Sequence, residues 1–307
     1  MGTLLTQIRR SVFIGVVVGV FVAPQAGVAE GLLLKKGDRV AIVGDSITEQ
    51  KLYSKYMELY LLACVPQLDL TMFQFGWSGE RAPGFAGRME NDFVPWGPTV
   101  VTTCFGMNDG GYRPFEAAIG KTYEEGSSRI QKRCKALGAR MVIGGPGPVD
   151  SETWKKTEPE ADTYYNDNLG KLSAIAAKQA AEEGFVYAGL HPMMMKVMAE
   201  AKAALGKEYP VCGGDGVHPG PNGHLVMAYA FLKAMGLDGA IGTLTVDMNG
   251  AATATDTVSA WAVDSTAQHT PAVARARKKR AGRAEWAERV GMAVGRKALF
   301  MVGIARV

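Results

Sequence analysis

The chain has 307 residues, 47% hydrophobic and 21% charged, which supplies ample core material and excludes a wholly disordered chain. Its 38 glycines follow no Gly-X-Y period and its four cysteines are too few for a disulfide scaffold, so collagen and small disulfide-rich folds are excluded as well. The net charge of +4 is unevenly placed: residues 275–307 carry ten Lys/Arg against Glu285 and Glu288, while the remainder is mildly acidic and has no overall attraction for nucleic acid.

At the N-terminus, Arg9 and Arg10 lead into an apolar run from Val12 to Ala23, which Pro24 breaks; the small residues Ala26, Gly27 and Ala29 follow. A basic end, a short apolar centre and a small-residue exit predict a secretory signal peptide over residues 1–29, cleaved after Ala29. The run is shorter than the ~20 residues of a membrane-spanning helix, and an uncleaved N-terminal anchor is the alternative. The expected destination is secreted or periplasmic.

Beyond this segment, short apolar runs alternate with helical patterns. Strands are predicted at Val40–Val43, Leu68–Phe75, Thr99–Phe105, Arg140–Ile143 and Phe185–Ala188. Helices are predicted at Lys51–Cys64, Glu116–Leu137, Pro159–Glu183, Pro192–Leu205 and Asn222–Met235. Strands separated by helices predict an α/β fold with a five-stranded parallel sheet covered on both faces, whose ligands bind beyond the carboxyl ends of the strands. Residues 243–274 are Thr/Ala-rich, readable as one or two strands or as a linker. Cys64 and Cys104 read as apolar thiols, whereas pairing of Cys134 with Cys212 stays open.

The residues that could carry chemistry lie just after those strands. Gly44-Asp45-Ser46-Ile47 follows the first strand, where a serine at a helix start is exposed beside a terminus that favours negative charge. Its plain structural reading is an N-cap at Ser46 with Glu49 completing a capping box. Asp215-Gly216-Val217-His218-Pro219 places a carboxylate three residues before one of only four histidines, close enough to fix the imidazole tautomer; an exposed turn histidine or a metal ligand is the alternative. Gly76-Trp77-Ser78-Gly79 and Gly106-Met107-Asn108-Asp109 follow the second and third strands and offer a close backbone N–H and an amide donor, or simply turns.

These four blocks, in this order, resemble the SGNH hydrolases, the GDSL esterase/lipase superfamily, over roughly Val40 to Met235. Ile47 stands where that family's signature has Leu, and Phe75 occupies the vicinity of an Asn often found ahead of the second block's glycines. The resemblance implies a flavodoxin-like three-layer α/β/α domain over residues 30–242 and a serine esterase without cofactor or metal. It implies Ser46 as nucleophile, His218 and Asp215 as its triad partners, and Gly79 and Asn108 as oxyanion donors beside the Ser46 backbone N–H. The expected substrate is a small-molecule or polysaccharide acyl ester, an O-acetylated carbohydrate first; a lysophospholipase- or thioesterase-type hydrolase is the alternative, and a non-catalytic binding module comes after it.

Other conspicuous residues carry plainer expectations. Trp77, Trp96, Met107, Tyr112 and Phe115 are expected to pack, with an apolar or sugar-stacking wall as the alternative, and the Met193-Met194-Met195 run to pack at a helix start, with a flexible acyl pocket as the alternative. Arg81 and Arg88 are expected on solvated faces, His191 and His224 in structural roles, and Asp45 in securing its loop. The basic tail, 275–307, reads as a solvated end; an amphipathic contact with an anionic envelope surface is its second reading, and no nucleic-acid partner is expected.

Overall fold

The β-branched run after Lys36 forms β1 (Arg39–Gly44) at the interior of the sheet, with β2 (Thr71–Gln74) on one side and β3 (Val100–Cys104) on the other; β4 (Arg140–Ile143) and β5 (Val186–Tyr187) complete it. All neighbours are parallel in the order β2-β1-β3-β4-β5, with Val40 opposite Met72 and Val100. The structure, a computed structural model, describes residues 31–154 and 161–237 together with the strands at 243–246 and 252–255. The predicted signal peptide and the basic tail lie outside the described residues.

Alternation along each strand divides the core into two layers. Val40, Ile42, Val100 and Val142 point into one cluster, which α2 (Leu52–Cys64), α6 (Leu190–Leu205) and α7 (Pro221–Ala234) close through Tyr53, Met57, Leu61, Met194 and Phe231. Ala41, Val43, Val101, Met141 and Ile143 point into the other, closed by α3 (Ala82–Asp92), α4 (Ala117–Ala136) and α5 (Ala161–Glu183) through Phe85, Met89, Tyr123, Ile130, Leu172 and Ala176. This is the expected three-layer α/β/α arrangement. Cys134 sits in one layer and Cys212 in the other, and none of the four cysteines is in a disulfide, so the open Cys134–Cys212 pairing is excluded.

Three local departures have clear causes. The second strand begins at Thr71 rather than Leu68, because Pro66–Leu68 form a 3₁₀ turn closed by Asp69 in the left-handed region. The helix predicted from Lys51 starts one residue later: Lys51 has φ 61, caps α2 and separates it from α1 (Ser46–Glu49). Helix α3 carries no sequence expectation, since Pro83, Gly84 and Gly87 dilute its pattern, yet Phe85, Ala86 and Met89 are buried at helical spacing. Within the Thr/Ala-rich segment, β6 (Thr243–Val246) and β7 (Ala252–Thr255) pair antiparallel.

Candidate active site

The nucleophile candidate stands where β1 hands over to α1. Asp45, not Ser46, is the N-cap: its Oδ1 accepts the Ile47 N–H at 3.0 Å. Glu49 closes no capping box and instead accepts the Ser78 hydroxyl from the next loop. Ser46 is thus the first helical residue, and its N–H donates to no acceptor among the described residues, as expected at a helix start. The second loop lies directly on α1. Trp77 N–H donates to Gly44 O at 3.2 Å, and a Cβ at Gly76 would come 2.4 Å from the Glu49 nitrogen, so only glycine permits this approach.

His218 arrives from the loop between α6 and α7. Its Nε2 lies 2.8 Å from Ser46 Oγ and its Nδ1 lies 2.7 Å from Asp215 Oδ2. Asp215 Oδ1 also accepts the Val217 and His218 N–H groups, each at 2.9 Å. Partial burial pushes the Asp215 carboxyl up, but those two backbone donors and the imidazole outweigh it and hold it below the ordinary 3.8. With Asp215 ionised, Nδ1 carries the proton, and Nε2 is left to accept from the serine. The loop is braced from behind by Asp150 N–H donating to Gly216 O at 2.8 Å.

The amide donors occupy the loops that flank this junction. Asn108 Nδ2 donates to Glu80 O at 3.1 Å, and its Oδ1 accepts the Tyr112 hydroxyl at 3.1 Å. Among the described residues one Nδ2 hydrogen has no acceptor. Gly79 is exposed, and its N–H meets no acceptor among the described residues. Glu80 itself is fixed by Arg88, whose Nε lies 3.0 and 3.1 Å from its two carboxylate oxygens and which also binds Asp92 and Phe75 O. Arg88 is therefore a half-buried clamp on the second loop rather than a solvated residue, while Arg81 is exposed as expected.

Two acids lie beneath the donors. Burial pushes Asp45 up to about 7, against the Ile47 hydrogen bond and with help from the charges of Asp109 and Glu80. Burial likewise pushes Asp109 up to about 6, although it accepts the Ala82 and Gly106 N–H groups at 2.9 Å each. Neither reaches Ser46 in place of His218; both secure loops.

Ser46, Glu49, Gln50, Ser78, Asp215 and His218 line an open cleft of about 310 Å³. Gln50 Oε1 lies 2.8 Å from Nε2 of His224, which is buried in α7 against Tyr53. Burial, then the nearby His218, lowers His224 to about 4, so it is neutral, in keeping with a structural role. His191 is likewise lowered by burial. Glu49, Gln50, Ser78 and Tyr112 had no assigned place in the site; only their nearness in sequence to the glycine-containing blocks could have flagged them. Trp77 is 64% exposed, contrary to the packing expectation, whereas Met107 is buried and Trp96 packs on Phe73 and Phe75.

Residues 42–226 match the model of the GDSL-like Lipase/Acylhydrolase family. An acetylxylan esterase of Geobacillus stearothermophilus is 24% identical over 225 residues, covering 66% of this chain and 95% of that protein. The solved structure of Axe2, an acetylxylan esterase from the same organism, has a TM-score of 0.54 at 20% identity and covers 67% of this chain and 97% of its own. A gut microbial diltiazem-metabolizing enzyme has a TM-score of 0.63 at 26% identity over 75% of this chain, which spans only 54% of that enzyme. Because the family match takes in more than half of the sequence, the chain belongs to the GDSL-like lipase/acylhydrolase family of the SGNH superfamily, a family of carboxylic ester hydrolases.

Proposed function

We propose that this protein is a serine esterase that removes O-acetyl groups from carbohydrates, with Ser46, His218 and Asp215 as its triad and Ser46 N, Gly79 N and Asn108 Nδ2 as its oxyanion donors. The unbroken hydrogen-bonded series from Asp215 through His218 to Ser46 carries the reading. His218 Nε2 takes the Ser46 proton as Oγ attacks the ester carbonyl, and the three donors hold the negative charge that develops on the carbonyl oxygen. As the tetrahedral species collapses, the C–O bond to the alcohol breaks and His218 returns the proton to the leaving oxygen. Water then repeats the sequence on the acyl-serine, releasing the acid and restoring Ser46.

The acetyl preference is supported by the small size of the cleft and by the polar or charged residue types that line it. The relative named as an acetylxylan esterase supports the carbohydrate class. The export reading of the N-terminus agrees with a polymer substrate outside the cell, and immunoblotting of cell fractions tests it. The substrate reading is tested by a hydrolysis panel of aryl esters graded by chain length, with acetylated xylan and acetylated amino sugars added. Acetyl esters are expected to be cleaved fastest; a preference for long acyl chains would replace this reading with the lysophospholipase type.

A further inference from the structure

Asn108 poses a problem that its own backbone does not solve. A primary amide can sit either way round, and the two orientations fill nearly the same space. One presents N–H to a substrate oxygen and the other presents C=O, which would repel a developing oxyanion. We infer that Tyr112 is a positioning residue for this reaction: its hydroxyl, donated to Asn108 Oδ1, sets which edge of the amide faces the substrate. The inference rests on the proposed oxyanion role of Asn108.

The geometry leaves little freedom. Glu80 O can only accept, so the amide edge facing it is Nδ2. The opposite edge is Oδ1, and a phenol placed against it must donate. Withdrawing electron density at Oδ1 also strengthens the remaining Nδ2 hydrogen as a donor, because hydrogen bonds in series polarise one another. Tyr112 is held for this task at a backbone position that side chains seldom adopt, with φ 56 directly after Gly111 at φ 69.

What holds it there is an aromatic stack rooted in α5. The Tyr112 ring lies on Tyr165 at 5.0 Å and 28°, and both rings approach Trp154. The Tyr165 hydroxyl donates to Met107 O, the residue before Asn108. Asn168 donates to Gly110 O at 3.0 Å and Arg113 O at 2.8 Å, gripping the loop on both sides of Tyr112. Trp154 in turn abuts Gly216 of the acid loop, where a Cβ would fall 2.4 Å from the Trp154 nitrogen. One stack therefore ties the amide donor to the loop that carries Asp215 and His218.

Tyr112→Phe keeps the ring and its stack and removes only the hydroxyl, so melting temperatures are compared first to confirm equal folding. With 4-nitrophenyl acetate, Tyr112→Phe is expected to lower kcat about 5- to 10-fold with KM unchanged, the scale of one neutral hydrogen bond. Asn108→Ala is expected to lower kcat about 10²–10³-fold. In the Asn108→Ala background, Tyr112→Phe is expected to cost nothing more, since no amide remains to orient. Wild-type kcat in Tyr112→Phe, a loss confined to KM, or a fully additive loss in the double variant would each overturn the role of Tyr112 while leaving Asn108 in place. Wild-type turnover in Asn108→Ala would remove the oxyanion reading and the positioning role together.

Discussion

The junction at Asp45–Ser46 and the loop at Asp215–His218 meet across one hydrogen bond, yet they are built by opposite means. The first is sheet-made: β1 is fully flanked, Asp45 is 1% exposed, and burial drives its carboxyl up to about 7. The second is loop-made: Asp215 has a side chain 55% exposed, and three donors from Val217 and His218 hold its carboxyl down. The proposed nucleophile is thus located by packing and its proposed base by short-range hydrogen bonding. Removing the Asp215 carboxylate, which is exposed and locally held, should therefore fall on turnover rather than on stability.

The sharpest break of that contrast is Ser46→Ala, which removes the point where the two regions touch. Turnover should fall about 10⁴–10⁶-fold while the melting temperature stays near wild type. Labelling of the wild-type protein by an organophosphonate at Ser46, read by mass spectrometry, should disappear in the same variant; unlabelled wild type would indicate a binding module. Next in size is Asp215→Asn, expected to cost about 10³–10⁴-fold in kcat with only a small change in melting, because the wrong imidazole tautomer would face the serine. A large loss of stability there would show that the loop depends on packing after all.

Gly216→Ala tests the brace behind the loop. Gly216 has φ 74, and its added Cβ would meet Trp154 backbone and side chain at 2.4–2.6 Å, so a loss of about 2–4 kcal/mol by denaturant unfolding is expected. The remaining variant is Asp45→Asn, which keeps an oxygen for the Ile47 N–H. Asp45 is raised in the folded state, so its contribution to stability is greatest below the ordinary 3.8 and is lost as pH rises through about 7. Asp215 is lowered, so its contribution is present above 3.8 and is lost as pH falls through its lower folded value. The Asp45→Asn variant should accordingly gain on wild type, in melting temperature, between about pH 4 and pH 7 and hold that gain above it. A constant difference across that range would remove the buried charge from the account.

Features encoded over a few neighbouring residues were legible in the sequence. The β-branched runs that became β1, β3 and β4 were visible, as were the Asp-x-x-His spacing and the serine after Gly44-Asp45, because alternation and loop chemistry are short-range properties. Asp45 as the cap was misread at Ser46, since both residue types cap helices and only the backbone angles distinguish them. Arg88 was placed in solvent because its partner Glu80 is brought back by the turn into α3, a helix the sequence pattern itself concealed. Tyr112 offered no signal for its contact with Asn108: that contact depends on two successive left-handed residues and on Tyr165, which reaches across 58 positions to Met107.

Ser46 and His218 are separated by 172 positions. Translation therefore produces the proposed nucleophile early and its proposed proton acceptor late, after all five strands of the main sheet have been made. On the proposed mechanism, a fragment ending before His218 would contain the serine but no group to activate it, so hydrolysis would begin only once synthesis has passed nearly the entire α/β layer structure.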